Sequence, residues 1–252
     1  MAITEQRLRL ILTELQRHSR VSVNALADSL SVSTETIRRD LKELEARGEA
    51  RRTYGGAVVD RKIEQPIAER RRVQAREKAR IGAAAAGLVE GGMKIFVDTG
   101  TTTLAFVNQV IDRTDLRVHT NSIDVADALA HNPQAQVTVA GGTLVPMFKA
   151  LFGPDTLRSV ERDEYDLAVM SIGTVHVDHG FMDRGEDEAE LRRVARRRAK
   201  CTVMLADSSK FGRLGRITTF ALTDVDVLVT DAPLKGSFAE RLQGSKVRII
   251  LA

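Results

Sequence analysis

Residues 21–58 read VSVNALADSLSVSTETIRRDLKELEARGEARRTYGGAV, and this stretch decides how the N-terminal part of the chain folds. Ser22 can cap a short helix in which Val23, Leu26, Ala27 and Leu30 share one face. Ser31-Val32 makes a tight connection. Ser33 can cap a second helix whose buried stripe is Ile37, Leu41 and Leu44, with Gly48 closing it. Upstream, Thr4 can cap a helix carrying Leu8, Ile11, Leu12 and Leu15 at helical spacing, ended by the polar cluster His18-Ser19-Arg20. Downstream, Glu49–Asp60 places β-formers on either side of Gly55-Gly56 and reads as a small hairpin.

Three short helices and a hairpin predict a winged helix-turn-helix over residues 1–60. The helix after Ser33 is slim enough for the major groove, and Ser33, Thr34, Thr36, Arg38, Arg39 and Lys42 bring hydroxyl, guanidinium and ammonium groups to its exposed faces. Arg51, Arg52 and Thr53 on the hairpin are placed to clamp the DNA backbone. The periodicity alone leaves a second reading open, a small helical domain with a solvated, Arg-rich face.

The wording of the stretch is more specific than its periodicity. Val32-Ser33, then Thr36-Ile37-Arg38-Arg39-Asp40-Leu41, then Arg52 and Gly55-Gly56-Ala57 follow in order. They resemble the recognition helix and wing of the DeoR family of bacterial transcription regulators. Tyr54 departs from that pattern, where the family often carries His. The resemblance implies duplex operator DNA as a partner.

Charge is unevenly spread along the 252 residues, whose formal net charge is +4. Residues 61–80 hold 8 basic and 3 acidic groups, against 10 and 9 in residues 1–60. This segment is expected to be a basic linker containing Pro66, with Arg70–Arg72 on a solvated helix face rather than on DNA. One cysteine excludes a disulfide framework and any multi-cysteine metal site. Apolar runs such as Ile81–Val89 fall short of the ~20 residues a membrane span needs. The charged N-terminus is unlike a signal peptide, so a cytoplasmic setting is expected.

Residues 81–252 alternate apolar runs with helical patterns. The strand-like runs are Lys94–Val97, Arg117–Thr120, Val137–Ala140, Asp166–Ser171, Cys201–Ala206, Val225–Thr230 and Val247–Leu251. Helical patterns at Thr103–Val110, Ile123–Ala130 and Glu188–Lys200 lie between several of them. This predicts an α/β domain with a mostly parallel sheet covered on both faces.

Small, hydroxylated and glycine residues follow the strands: Asp98-Thr99-Gly100-Thr101-Thr102, Asn121-Ser122, Gly141-Gly142, Gly173, and Asp207 to Lys210. Open α/β sheets bind ligands at that edge. The DTGTTT loop opens a helix, so its N–H groups and hydroxyls form an anion cradle, and Lys210 supplies a cation. Asp98, Asn121 and Asp207 are suited to hydrogen-bond hydroxyls. The expected ligand is a small phosphorylated sugar or polyol. Taken singly, each piece has a structural alternative as a helix cap, a turn or a solvated lysine; their recurrence at one edge argues for a site.

This half, too, resembles the DeoR family, in its sensor domain. The segments are VDTGTTT, HTNSIDVADAL, VTVAGG, LFGPDTL, LAVMSIGTVHVDHGFMD, EAELRRVARRRA, LADSSKFGR and LVTD, with Lys78-Ala79-Arg80-Ile81 and Ala84-Ala85 leading in. The resemblance implies a fold similar to ribose-5-phosphate isomerase and coenzyme A transferases, and recognition of sugar phosphates without turnover. It implies a phosphate loop from Asp98 to Thr102 with Asn121, Gly141, Gly142 and Lys210 around it, and Asp183 and Glu186 in a more variable loop that helps choose the ligand. It further implies a repressor of a carbohydrate or polyol operon, working as a homodimer or homotetramer.

Other chemistries are disfavoured. Cys201 sits in an apolar strand, His176 and His179 flank Asp178 in a turn, and no GxGxxG follows a strand, so no metal or cofactor is expected. Arg192, Arg193, Arg196 and Arg197 on the helix beginning at Glu188 are expected to be solvated or between subunits. The competing function is a sugar-phosphate isomerase, which the first sixty residues argue against.

Overall fold

The computed structural model describes the backbone of residues 2–18, 20–46, 50–59 and 66–252, and the side chains of all of these except 2–5, 16, 17, 51 and 59. The chain folds as two compact units, Met1–Gln65 and Pro66–Ala252.

In the first unit, α1 (Ala2–His18), α2 (Val23–Leu30) and α3 (Thr34–Ala46) pack around Leu8, Ile11, Leu15, Leu26, Ile37, Leu41 and Leu44, all buried. A part-buried ion pair ties α1 to α3: Arg7 donates to both oxygens of the buried Asp40, at 2.5 and 3.0 Å. The hairpin consists of β2 (Ala50–Thr53) and β3 (Gly56–Val59), and it gains a strand the sequence did not announce. Arg20–Ser22 forms β1, antiparallel to β3, giving the order β1-β3-β2. Ser22 stands at the N-terminus of α2, but its hydroxyl makes no cap. Ser33 does cap α3, accepting from the Thr36 amide at 3.1 Å. Helix α1 starts at Ala2, ahead of the expected cap, so Thr4 lies inside it; Gly48 falls outside the described residues.

The second unit is built on a seven-stranded parallel sheet. Its strands are β4 (Lys94–Val97), β5 (Arg117–Thr120), β6 (Gln136–Val139), β9 (Tyr165–Ser171), β12 (Ala199–Leu205), β14 (Val227–Thr230) and β15 (Arg248–Leu251). They run in the order β15-β14-β12-β9-β4-β5-β6. Every expected strand is present, shifted by at most a few residues. On one face α5 (Ala75–Ala86), α6 (Thr101–Val110) and α7 (Ile123–Leu129) cover Ile95, Val97, Val169 and Val203. On the other, α8 (Pro154–Glu161) and α9 (Glu186–Arg197) cover Phe96, Ala168, Met170 and Met204. Helices α5 and α6 cross so closely that a Cβ on Gly82 would lie 2.7 Å from the α6 backbone at Ala105 and Phe106.

Short antiparallel elements decorate the sheet: β7 (Thr143–Val145) with β8 (Ala150–Phe152), and β10 (Thr174–His176), β11 (Gly180–Asp183) and β13 (Ile217–Phe220) in that order. A short helix, α10 (Ser237–Leu242), precedes β15.

Two expectations need correcting. Helix α9 ends at Arg197, and Ala199 starts β12 instead of closing the helix. The basic run is not a solvated face throughout: α4 (Ile67–Arg70) and the turn after it pack on the second unit. There Arg71 pairs with buried Asp124 at 2.5 Å, and the Arg70 guanidinium lies 5.7 Å from the Phe148 ring centre.

Candidate functional site

On the first unit, α3 presents Arg38, Arg39 and Lys42 to solvent, with Ser33 exposed and Thr34 and Thr36 half-buried at its start. The Thr36 hydroxyl shares a 2.8 Å hydrogen bond with that of Ser33, so it belongs to the cap as well as to the exposed turn. Arg38 reaches Glu35 at 3.3 Å on an exposed face, a pairing weak enough to exchange for a better acceptor. On the wing, Arg52 is held by Glu45 of α3, through its Nε at 2.6 Å and its backbone amide at 2.9 Å. Arg52 thus fastens the hairpin to α3. Tyr54 stands fully exposed at the hairpin tip. The side chain of Arg51 lies outside the described residues.

On the second unit, the order of strands reverses between β4 and β9: β5 and β6 are added on one side of β4, and β9, β12, β14 and β15 on the other, all parallel. Ligands of open α/β sheets bind outside the carboxyl ends at such a switch point. The loop after β4 is the DTGTTT segment, and the loop after β9 is Ser171-Ile172-Gly173. They meet so tightly that a Cβ on Gly100 would lie 2.2 Å from the Ser171 hydroxyl. Helix α6 starts at Thr101 with no side chain capping it, so its first amides point at the crevice with the partial positive charge of a helix N-terminus.

The loop is held from below. The Thr99 amide donates to the Asp98 carboxylate at 2.7 Å and to Asn121 Oδ1 at 3.0 Å, while Asn121 Nδ2 donates to the Leu151 carbonyl. Thr99 Oγ1 donates to the Phe148 carbonyl and Thr103 Oγ1 to that of Gly100. Ser122 caps α7 through the Val125 amide. Of the glycines, Gly142 (φ +127°) leaves no room for a side chain, since a Cβ would meet Thr156 Oγ1 at 2.1 Å. Gly141 accepts from that same hydroxyl at 2.5 Å, and a Cβ on Gly173 would lie 3.2 Å from the Met182 carbonyl. Gly142 and Gly173 are explained by packing, whereas a Cβ on Gly141 would meet nothing within 4 Å.

Asp98 itself does not face a ligand. Its second oxygen accepts from Arg192 Nε at 2.7 Å. Arg192 is 4% exposed, which corrects the expectation of a solvated arginine. It also donates to Asp183, which accepts from Thr219 at 2.6 Å, and it approaches Glu188 at 3.9 Å. Burial pushes the Asp98 carboxyl up from its usual range while Arg192 pulls it down; the acids around Arg192 hold the guanidinium charged. Asp98 is therefore a positioning residue, locking the loop to α9 and β11.

Lys78 was quoted from the sequence only as part of the lead-in pattern. It is 5% exposed, on the first turn of α5. Its ammonium donates to the carbonyls of Arg70 (2.7 Å) and Val73 (2.6 Å). Burial is the main cause that pushes its pKa down to about 8; Asp207 pulls upward, Lys210 and Arg70 downward. Asp207 accepts from Ser209 through one oxygen, and its other oxygen is buried with no hydrogen-bond partner among the described residues. Lysines 78 and 210 and the α6 N-terminus supply donors, and the half-satisfied Asp207 carboxylate an acceptor, suited to an anionic, hydroxylated molecule. Among the described residues no cluster of three or more His, Cys, Asp or Glu is suited to a metal, and no helix is long and apolar enough to cross a membrane.

Comparison with known proteins agrees with both halves. A DeoR-like helix-turn-helix domain matches residues 7–63, and a DeoR C-terminal sensor domain matches residues 73–232. The chain is similar to the HTH-type transcriptional repressor CsqR of Escherichia coli (strain K12), 32% identical over 92% of this chain and 89% of that protein. It is 28% identical to the glycerol-3-phosphate regulon repressor of the same strain, over 96% of each. Among solved structures, ribose 5-phosphate isomerase A of Methanocaldococcus jannaschii covers 55% of each chain with a TM-score of 0.40 and 17% identity.

Proposed function

The chain belongs to the DeoR family of transcriptional repressors, and from that premise we propose that it controls a carbohydrate or polyol operon in response to a phosphorylated sugar or polyol bound by the sensor domain. The observation that carries the ligand class is the uncapped N-terminus of α6 at the sheet's switch point, with Lys78 and Lys210 as cations. Thr101 and Thr102 with the first α6 amides take the phosphoryl oxygens. Asp207 takes a hydroxyl. Asp98, Asn121 and Ser122 keep the loop in shape, Gly100, Gly142 and Gly173 let the surrounding segments approach closely, and Gly141 leaves open space beside them. Operator binding places the protein in the cytoplasm, and a homo-oligomer, dimer or tetramer, matches the two-fold symmetry of operators.

Control requires the effector to bind the DNA-competent and DNA-incompetent arrangements with different affinity. A coupling of about 1–3 kcal/mol is typical. The direct test is a thermal-shift panel of phosphorylated sugars and polyols beside the parent compounds, followed by operator footprinting with the best stabiliser. Stabilisation by the esters alone supports the reading; equal stabilisation by the unphosphorylated compounds overturns it.

Two further outcomes are expected. Protonated Lys78 favours phosphate, so affinity is full below pH 8 and falls as pH rises through the lysine's pKa. From pH 7.5 to 9.5 the loss is roughly tenfold, about one pK unit of lost charge interaction. The ligand-free protein moves oppositely, gaining stability between about pH 8 and the ordinary lysine pKa of 10.5, because there the unfolded chain holds the proton and the folded chain does not. Calorimetric titration of Lys78→Met against pH should show weak binding with a flattened profile; an unchanged slope assigns the titration to another group. On DNA, Arg38→Ala should relax discrimination between operator and random duplex by about 1–3 kcal/mol in gel shifts. An equal loss on both duplexes makes Arg38 a phosphate contact.

A further inference from the structure

The second unit begins at Pro66, the residue after the end of the first unit, and its first nine residues are fastened to the candidate effector site. The fastening runs through the β7–β8 turn, Pro146–Lys149. The Ile67 amide donates to the Met147 carbonyl at 3.1 Å, and the Ile67 side chain is buried. Arg70 lies over Phe148, whose carbonyl accepts from Thr99 of the DTGTTT loop. Arg71 and Lys149 both pair with Asp124, on the first turn of the helix that Ser122 caps. One turn thus touches the entering chain on one side and the phosphate loop on the other.

Lys78 makes the second connection. Two of its three ammonium hydrogens go to the carbonyls of Arg70 and Val73, within the entering segment, and Asp207 and Lys210 are the charged groups acting on it most strongly. An ammonium has three donors. Among the described residues the third has no acceptor, which leaves it for an oxygen arriving near Lys210 and Asp207. A phosphoryl oxygen there holds Lys78 in place and so holds the two carbonyls it already binds.

We propose that Pro66–Gln74 is a strap whose docking is tightened by occupancy of the anion site, through Lys78 and the Pro146–Lys149 turn, so that the effector acts on the point where the DNA-binding unit is attached. The proposal rests on the sugar-phosphate reading and adds its route of regulation. It also requires reciprocity: if the ligand stabilises the docked strap, loosening the strap weakens the ligand by the same factor. The effect is local, since the contacts involved are a few hydrogen bonds and one half-exposed ion pair.

The test is hydrogen exchange by mass spectrometry on the full chain, with inorganic phosphate and glycerol 3-phosphate as probes and chloride at matched ionic strength as control. Binding is scored independently by melting temperature. With a probe that raises the melting temperature, peptides covering residues 66–74 should exchange at least threefold more slowly, and peptides from α1 should not change. Arg71→Ala, which leaves Lys78, Lys210 and the loop intact, should speed exchange in the strap and weaken the probe by a similar factor. Stabilisation with unchanged strap exchange, or a loosened strap with undiminished affinity, overturns the strap and spares the sensor reading. Failure of both probes to stabilise the protein overturns the strap together with that reading.

Discussion

Replacing Arg192 with methionine should destabilise the sensor unit by about 3–5 kcal/mol, the range for removing one partner of a buried ion pair. Arg192 is the cation of a cluster whose anions, Asp98 and Asp183, are each about 1% exposed. Methionine fills much of the volume but leaves both carboxylates without a counter-charge. For a unit of this size the loss lowers the melting temperature on the order of 10 °C. It should also depend on pH in a definite sense. Burial already raises the Asp98 carboxyl, and without Arg192 the pull that lowers it is gone, so the variant keeps more stability at low pH and loses it as pH rises through the Asp98 pKa. The gap between variant and wild type therefore shrinks from pH 8 to pH 5. Adding Asp98→Asn and Asp183→Asn to Arg192→Met should recover much of the stability, because a neutral set has no uncompensated charge. Calorimetry of wild type, Arg192→Met and the triple variant decides it. A penalty under about 1 kcal/mol for Arg192→Met, or one that grows toward low pH, would show that the cluster does not hold its charges as described.

The sequence exposed the parallel sheet because strands buried on both faces are written as continuous apolar runs, such as Leu167–Met170 and Val227–Val229. It concealed the antiparallel strands because three- or four-residue pieces have too few positions for an alternation, and their partners are distant: β11 pairs with β13 from Met182 to Thr218. The DTGTTT loop was legible as a Gly/Thr run between a strand and a helix. What held that loop was not, yet the sign was present. Lys78 occupies the apolar stripe it shares with Ile81, Gly82 and Ala85, and Arg192 the stripe it shares with Leu191 and Ala195. A charged residue at a buried helical position must be paired or hydrogen-bonded. Composition-based expectations of solvated arginines miss that constraint, because they count charges without asking which face carries them. Asp98 shows the converse error: a carboxylate at the ligand edge of a sheet was read as a ligand contact, while its position next to the α9 stripe made it the counter-ion of Arg192.

The wing yields the second large effect, through two neighbouring glycines needed for different reasons. Gly55 has φ +78° with nothing within 4 Å of where a Cβ would sit, so only its backbone conformation matters. Gly56 has ordinary backbone angles but no space: a Cβ would lie 2.0 Å from the Val21 carbonyl oxygen and 3.0 Å from its carbon. Those are backbone atoms of β1, held by the pairing of Val21 with Ala57 and Ser22 with Gly56, and the Val23 amide donates to the Gly55 carbonyl at 2.9 Å. Gly56→Ala must therefore push the hairpin off β1, at roughly 1–3 kcal/mol for an overpacked site. That is a large share of the stability of a unit of about sixty residues. The hairpin carries Arg52 and Tyr54, so operator affinity in gel shifts should fall at least tenfold, while stabilisation by a phosphate ester stays at the wild-type value because the sensor site is untouched. Gly55→Asn should do far less, since asparagine tolerates the left-handed region. Equal losses in the two variants would mean that the wing needs flexibility there rather than close approach. Wild-type operator binding by Gly56→Ala would remove the β1 contact from any part in DNA recognition.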